Sequence, residues 1–159
     1  MPARAQHRIG VAGTSLVPAP GWKASASMLP VDALFSVTEP SPKKGSYPAS
    51  VTVVATPINS FLALGGYVDT VVHQLQQIHA RVVSTHALTV GGKQAERIDW
   101  IVKYQRGTIR FLSTYFVEHG VAYSVTCGAD KQRFEHLLGT FTRMSDSFRF
   151  TPPPDPDAQ

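Results

Sequence analysis

Between residues 80 and 129 the chain alternates long β-prone runs with glycine-bearing pairs, and this pattern limits the fold more than any other feature. ARVVSTHALTV (80–90) ends at Gly91-Gly92, KQAERIDWIVKYQ (93–105) at Arg106-Gly107, and TIRFLSTYFVE (108–118) at His119-Gly120; VAYSVTCGA (121–129) follows. Glycine in the second place of a two-residue loop suits a type I′ hairpin turn, whose central residues take positive φ. Four such runs joined by tight turns predict an antiparallel meander.

With two-residue loops the registers follow by counting. Around Arg106-Gly107, Lys103 falls opposite Arg110, Asp99 opposite Thr114 and Arg97 opposite Phe116; around His119-Gly120, Ala129 falls opposite Arg110. Alternation then gathers Ile98, Trp100, Val102, Tyr104, Ile109, Phe111 and Tyr115 on one face. The other face holds Arg97, Asp99, Ile101, Lys103, Leu112, Phe116, Tyr123 and Val125. The charged triplet Glu96, Arg97 and Asp99 is thereby divided. Glu96 points away, and Arg97 and Asp99 remain as a same-strand ion pair. General acid–base catalysis needs a donor and an acceptor converging on one substrate, so the triplet reads as strand. Like charges facing across strands repel. Lys103, Arg110 and the intervening Arg106 are therefore either neutralised by Asp130 or form a small anion-binding edge.

The remaining elements are shorter. The first eight residues read as a flexible arm, residues 9–150 as one domain, and 151–159 (TPPPDPDAQ) as a disordered Pro-rich tail. IGVAGTSLVPAP offers two extended pieces around Gly13, and Trp22 after the turn at PGW reads as a core plug. ALFSVT (33–38) and ASVTVVATP (49–57) are strands around a Pro/Ser-rich loop that is mobile by composition. Asn59 or Ser60 caps a helix whose apolar stripe is Phe61, Leu64, Val68, Val71, Leu75 and Ile78. Asp130 caps a second helix that buries Phe134, Leu137, Leu138, Phe141 and Met144, and SFRF (147–150) is a last extended piece.

Net charge is +4, but the 15 Lys and Arg are scattered rather than set in the stripe that nucleic acid requires. No apolar run is long enough to span a membrane. The start has no apolar core of a leader behind its arginines; location is cytoplasmic by default, and periplasmic or cell-envelope if a leader was removed. The six histidines lack metal spacing, and no cofactor fingerprint is present. Cys127, alone, reads as a buried inert thiol. A pocket joining His86 or His119 to Asp99 is what an enzyme would need.

PGW near the start, VTVVATPI before a long helix, VGGKQAERIDW, the paired strands ending in VAYSVTCGA, and a closing helix running into SFRF resemble the DcrB-like branch of the PsbP-like superfamily. The likeness spans roughly residues 10–150. It implies an α+β fold, an α/β/α sandwich with a central antiparallel sheet, and mostly non-catalytic members. Eag-type secretion chaperones, which shield apolar effector helices and are dimeric, are one comparison. LpqN-type lipoproteins are the other, supported by YPASVTVV. The resemblance thus implies a non-enzymatic accessory domain that holds a protein partner, an apolar helix for a chaperone, and allows for a homodimer. Ile101, Leu112, Phe116, Tyr123 and Val125 are the candidate partner-binding residues. The alternative is an envelope domain binding a small ligand.

Overall fold

The computed structural model describes residues 8–11, 13–25, 33–42, 44–105 and 107–150. The expected arm and tail, apart from Arg8, lie outside the described residues. Within them run β1 (Ile9–Val11), β2 (Thr14–Leu16), β3 (Lys23–Ser25), β4 (Ala33–Thr38), β5 (Ser50–Pro57), α1 (Leu64–Gln77), β6 (Arg81–Val90), β7 (Lys93–Tyr104), β8 (Gly107–Glu118), β9 (Val121–Asp130), α2 (Lys131–Asp146) and β10 (Arg149–Phe150). Seven strands form one antiparallel sheet in the order β3-β4-β5-β9-β8-β7-β6, and β1-β2-β10 form a small second sheet. The four-strand meander is present as expected. β3, only three residues long, was not legible in the pattern.

Each face of the large sheet carries one helix. On the first face α2 and β10 seal a core of Leu112, Phe116, Val125 and Cys127 against Phe134, Phe141, Met144 and Phe148. On the second face α1 sets Val68, Val71 and Leu75 on Ile98 and Tyr115, packing over β6, β7 and β8. The architecture is the expected α/β/α sandwich.

Two turns follow the glycine rule. Gly91 and Gly92 have φ of 56° and 81°, and His119 and Gly120 have 49° and 76°. The middle turn departs from it. Gly107 is the first residue of β8 and pairs with Tyr104, so the loop is Gln105-Arg106. The ladder therefore slides by two residues: Lys103 stands opposite Thr108, Ile101 opposite Arg110, Asp99 opposite Leu112 and Arg97 opposite Thr114. A slip of two preserves the faces, because side chains alternate with period two.

Both helices begin later or bury less than their stripes suggested. Asn59 caps a turn, not a helix: its Oδ1 accepts from the Phe61 N–H at 2.9 Å, and its carbonyl from the Leu62 N–H at 2.9 Å. α1 starts at Leu64 with Ala63 as N-cap, leaving Phe61 95% exposed and Ile78 55% exposed. In α2, Leu138 is exposed. Asp130 is the N-cap of α2, as expected, but makes no side-chain capping hydrogen bond; its carboxylate accepts from the Tyr47 N–H at 3.1 Å. Tyr47, edge-on to Phe111, thereby ties down the Pro/Ser-rich loop.

Candidate functional site

The residues first expected to act are mostly engaged in the fold. Leu112, Phe116 and Val125 are buried under α2 and β10, which removes them from any open partner-binding face. Tyr123, half-buried, is edge-on to Phe150 with ring centroids 4.9 Å apart. Ile101 is half-buried beside them in the sheet. The apolar face predicted for a partner is covered by the protein's own second helix.

Of the three residues expected to form an anion-binding edge, Arg110 is already paired within the fold. Asp99 takes both nitrogens of Arg110, Nε at 2.9 Å and Nη2 at 2.6 Å, and that hydrogen bonding, ahead of all else, holds the guanidinium above its ordinary pKa. Arg110 also lies over the Phe134 ring at 4.5 Å. Lys103 is exposed opposite Thr108, and Arg106 lies outside the described residues. Nor do Arg97 and Asp99 pair with each other. Arg97, 5% exposed, donates to Thr114 Oγ1 at 2.9 Å and to Asp146 at 2.7 Å. Arg97, Asp99 and Arg110 are thus each held by a partner within the fold.

His86 and His119 do not approach a catalytic arrangement with Asp99. Both are exposed, His86 on edge strand β6 and His119 at the tip of the β8–β9 turn. Cys127 is fully buried, its Sγ 3.3 Å from Ser145 Oγ. Burial pushes its thiol up to about 12, which suppresses the nucleophilic thiolate. Among the described residues no group of His, Cys, Asp and Glu could hold a metal ion.

An open surface does exist on the second face. Because α1 covers β6 to β8 only, a groove of about 650 Å³ runs between that helix and the exposed half of the sheet. Its floor is Val54 and Thr56 of β5, Ser124 of β9 and Tyr115 of β8. Its wall is Tyr67, Thr70, Val71, Gln74 and Ile78 of α1, and Leu62 and Asn59 close one end. No ionisable acid or base other than tyrosine lines it. Tyr115 itself stays neutral, since burial pushes its hydroxyl up to about 12. Tyr67 stands edge-on to it with centroids 6.0 Å apart.

Beyond the groove the same face carries a row of hydroxyls in register across four strands. Ser36 is opposite Thr52, Thr52 opposite Thr126, and Thr126 opposite Ser113. Ser36 and Thr52 are hydrogen-bonded at 3.0 Å, Ser113 and Thr126 at 3.0 Å, and the Trp100 indole donates to Ser113 Oγ at 3.0 Å. A second groove, of about 800 Å³, separates the Val17–Trp22 loop from Thr140, Arg143 and Met144 of α2. It bears the charges of Arg143 and Asp146, and Asp146 is already held by Arg97. The α1 groove is the better candidate because its lining includes side chains of a regular core cluster (Val71, Leu75 and Tyr115) and no charged group. Sequence reasoning missed it, although the alternating hydroxyls of ASVTVVATP and VAYSVTCGA were its signal.

No known family's sequence profile matches the chain, and neither does any curated protein. Solved structures do match in shape. The cyanobacterial PsbP (CyanoP) of Synechocystis is 12% identical with a TM-score of 0.69, covering 94% of this chain and 96% of that one. LpqN of Mycobacterium tuberculosis, described as involved in cell envelope biogenesis, is 12% identical with a TM-score of 0.69, covering 92% and 90%. PA94 of Pseudomonas aeruginosa, of unknown function and described as a putative regulator, is 10% identical with a TM-score of 0.57, covering 94% and 98%. At these identities the likeness establishes the PsbP-like fold.

Proposed function

We propose that this chain is a non-enzymatic accessory domain that binds a neutral, largely apolar ligand in the groove between α1 and the β5–β9 half of the sheet. The carrying observation is the lining: aliphatic and aromatic side chains interrupted by hydroxyl and amide groups, with no formal charge. Pockets that mix apolar surface with a few oriented polar groups bind small molecules, and an uncharged lining disfavours ionic ones, whose desolvation nothing would offset. Likeness to LpqN supports an envelope-associated role, and so the envelope alternative over a cytoplasmic chaperone. No described helix is long and apolar enough to cross a membrane. A chaperone of the kind expected from the DcrB-like resemblance would present the sheet face that α2 covers here. An uncharged peptide segment is the second reading, favoured by the exposed apolar side chains of Ile78, on the groove's wall, and of Phe61, next to its Leu62 end.

The test is fluorescence titration with a neutral naphthylamine probe and an anionic naphthalenesulfonate, on the wild type and on Thr70→Trp and Ser124→Arg. Both substituted residues line the groove. Binding of the neutral probe, lost at least tenfold in both variants at unchanged melting temperature, is the expected result. Equal binding by the folded variants, or preference for the anionic probe, overturns the proposal.

A further inference from the structure

The large sheet has two very different edges. β3 contributes three residues and carries Lys23. β6 contributes ten, Arg81–Val90. Long sheet edges recruit other strands unless lysine, proline or a bulge blunts them. From 84 to 90 β6 reads STHALTV, with no proline, lysine, arginine or acid. Its one irregularity lies earlier, between Val82 and Ser84. Residues 83–87 are all exposed.

The hairpin shows which backbone groups of β6 are not engaged by β7. Val90 and Lys93 flank a two-residue type I′ turn, so they exchange both hydrogen bonds of a narrow pair. Leu88, His86 and Ser84 alternate with Val90 in facing β7. The N–H and C=O groups of Thr85, Ala87 and Thr89 therefore point outward.

We propose that β6 pairs antiparallel with β6 of a second copy of this chain, about a two-fold axis through Ala87, joining two seven-stranded sheets into one. A two-fold axis normal to the sheet makes each face continuous, so it must pass through a residue and not between two. Ala87 is the midpoint of the bulge-free stretch from Ser84 to Val90, and only this choice pairs all seven residues. Thr85 then meets Thr89, His86 meets Leu88, Ser84 meets Val90, and Ala87 meets its own copy. No like charges are opposed, and threonine pairs across strands are favourable. An arbitrary peptide has no such self-matching register. One strand pair buries less than the roughly 1,200 Å² of a stable specific interface, so the dimer is reversible.

Sedimentation equilibrium from micromolar to millimolar protein should show a monomer–dimer equilibrium for the wild type. Ala87→Lys, which sets two lysines face to face at an exposed position, should be folded by circular dichroism and at least tenfold weaker in dimerisation. Ala87→Cys should form a disulfide-linked dimer on mild oxidation. A hydrogen-bonded antiparallel pair has Cα atoms about 5.5 Å apart, within disulfide reach. His86→Cys, opposite Leu88, should not. A wild type monomeric throughout, a folded Ala87→Lys protein that dimerises as before, or equal linkage through His86→Cys overturns the proposal.

Discussion

Asp99 grips Arg110 with both carboxylate oxygens although the two are not opposite each other in the ladder. Asp99 faces Leu112 and Arg110 faces Ile101, so the pair is diagonal across β7 and β8, with side chains 13% and 18% exposed respectively. The diagonal exists because the β7–β8 loop is Gln105-Arg106. A ladder shifted by two residues would have set Lys103 against Arg110 and left Asp99 beyond easy reach.

Removing the carboxylate leaves a largely buried guanidinium with only the exposed Glu135 carboxylate 4.0 Å away, which is the costly way to break such a pair. Asp99→Ala should destabilise the fold by about 2–3 kcal/mol. An Asp99→Ala/Arg110→Met double variant should recover part of that loss. Urea unfolding of the four members of the cycle measures both.

Gly128 faces Phe111 across β8 and β9, and a Cβ on it would lie 2.5 Å from the phenyl ring. That ring is stacked on Trp100 with centroids 4.3 Å apart, so it has little room to retreat. Gly128→Ala should cost about 1–3 kcal/mol through overpacking. Adding Phe111→Leu should make the alanine nearly neutral, a non-additivity read from thermal melts.

Glu39, 8% exposed, receives two hydrogen bonds from Arg133, at 2.9 and 2.5 Å. Those bonds, ahead of any other cause, lower its carboxyl pKa below the ordinary 4.5. A lowered acid contributes stability that is complete above the unfolded value and is lost as pH falls through the folded one. Melting temperature should therefore decline below about pH 4.5, and Glu39→Gln should flatten that decline while lowering the plateau at neutral pH.

At the alkaline end the sign reverses. Tyr115 and Cys127 are both pushed up to about 12, against ordinary values of 10.0 and 9.0. The unfolded chain releases these protons first, so their stabilisation is whole below pH 9 and fades as pH climbs toward 12. Tyr115→Phe should reduce the slope of melting temperature with pH in that range. Thiol labelling of Cys127 under native conditions should follow the rate of global opening, since the sulfur is wholly enclosed.

The meander, its two apolar faces and the α2 stripe were legible because a side-chain period of two or 3.6 is written directly into the sequence. The β7–β8 loop was misplaced by one residue, since a glycine beside a turn fits the loop or the first strand position equally. Arg97 reaching Asp146 could not be read at all. That contact joins residues 49 positions apart and depends on how α2 lies on the sheet. The α1 groove was hidden for the same reason: its hydroxyls are in the strands, but its opening depends on α1 sitting over β6 to β8. β3, at three residues, is too short for any period.

The strand order also carries a consequence in time. β3, β4 and β5 follow one another in sequence, as do β6, β7, β8 and β9, and the two runs meet within the large sheet only at the β5–β9 ladder. Each run pairs strands adjacent in sequence, the β6–β9 run through two-residue turns, at small loop-closure cost, whereas that seam must bring distant segments together. The meander should therefore form early and the seam late. Val53→Ala at the seam, opposite Val125, should chiefly speed unfolding, and Ile98→Val within the meander should chiefly slow folding. Stopped-flow chevrons that show the reverse would place the nucleus at the seam.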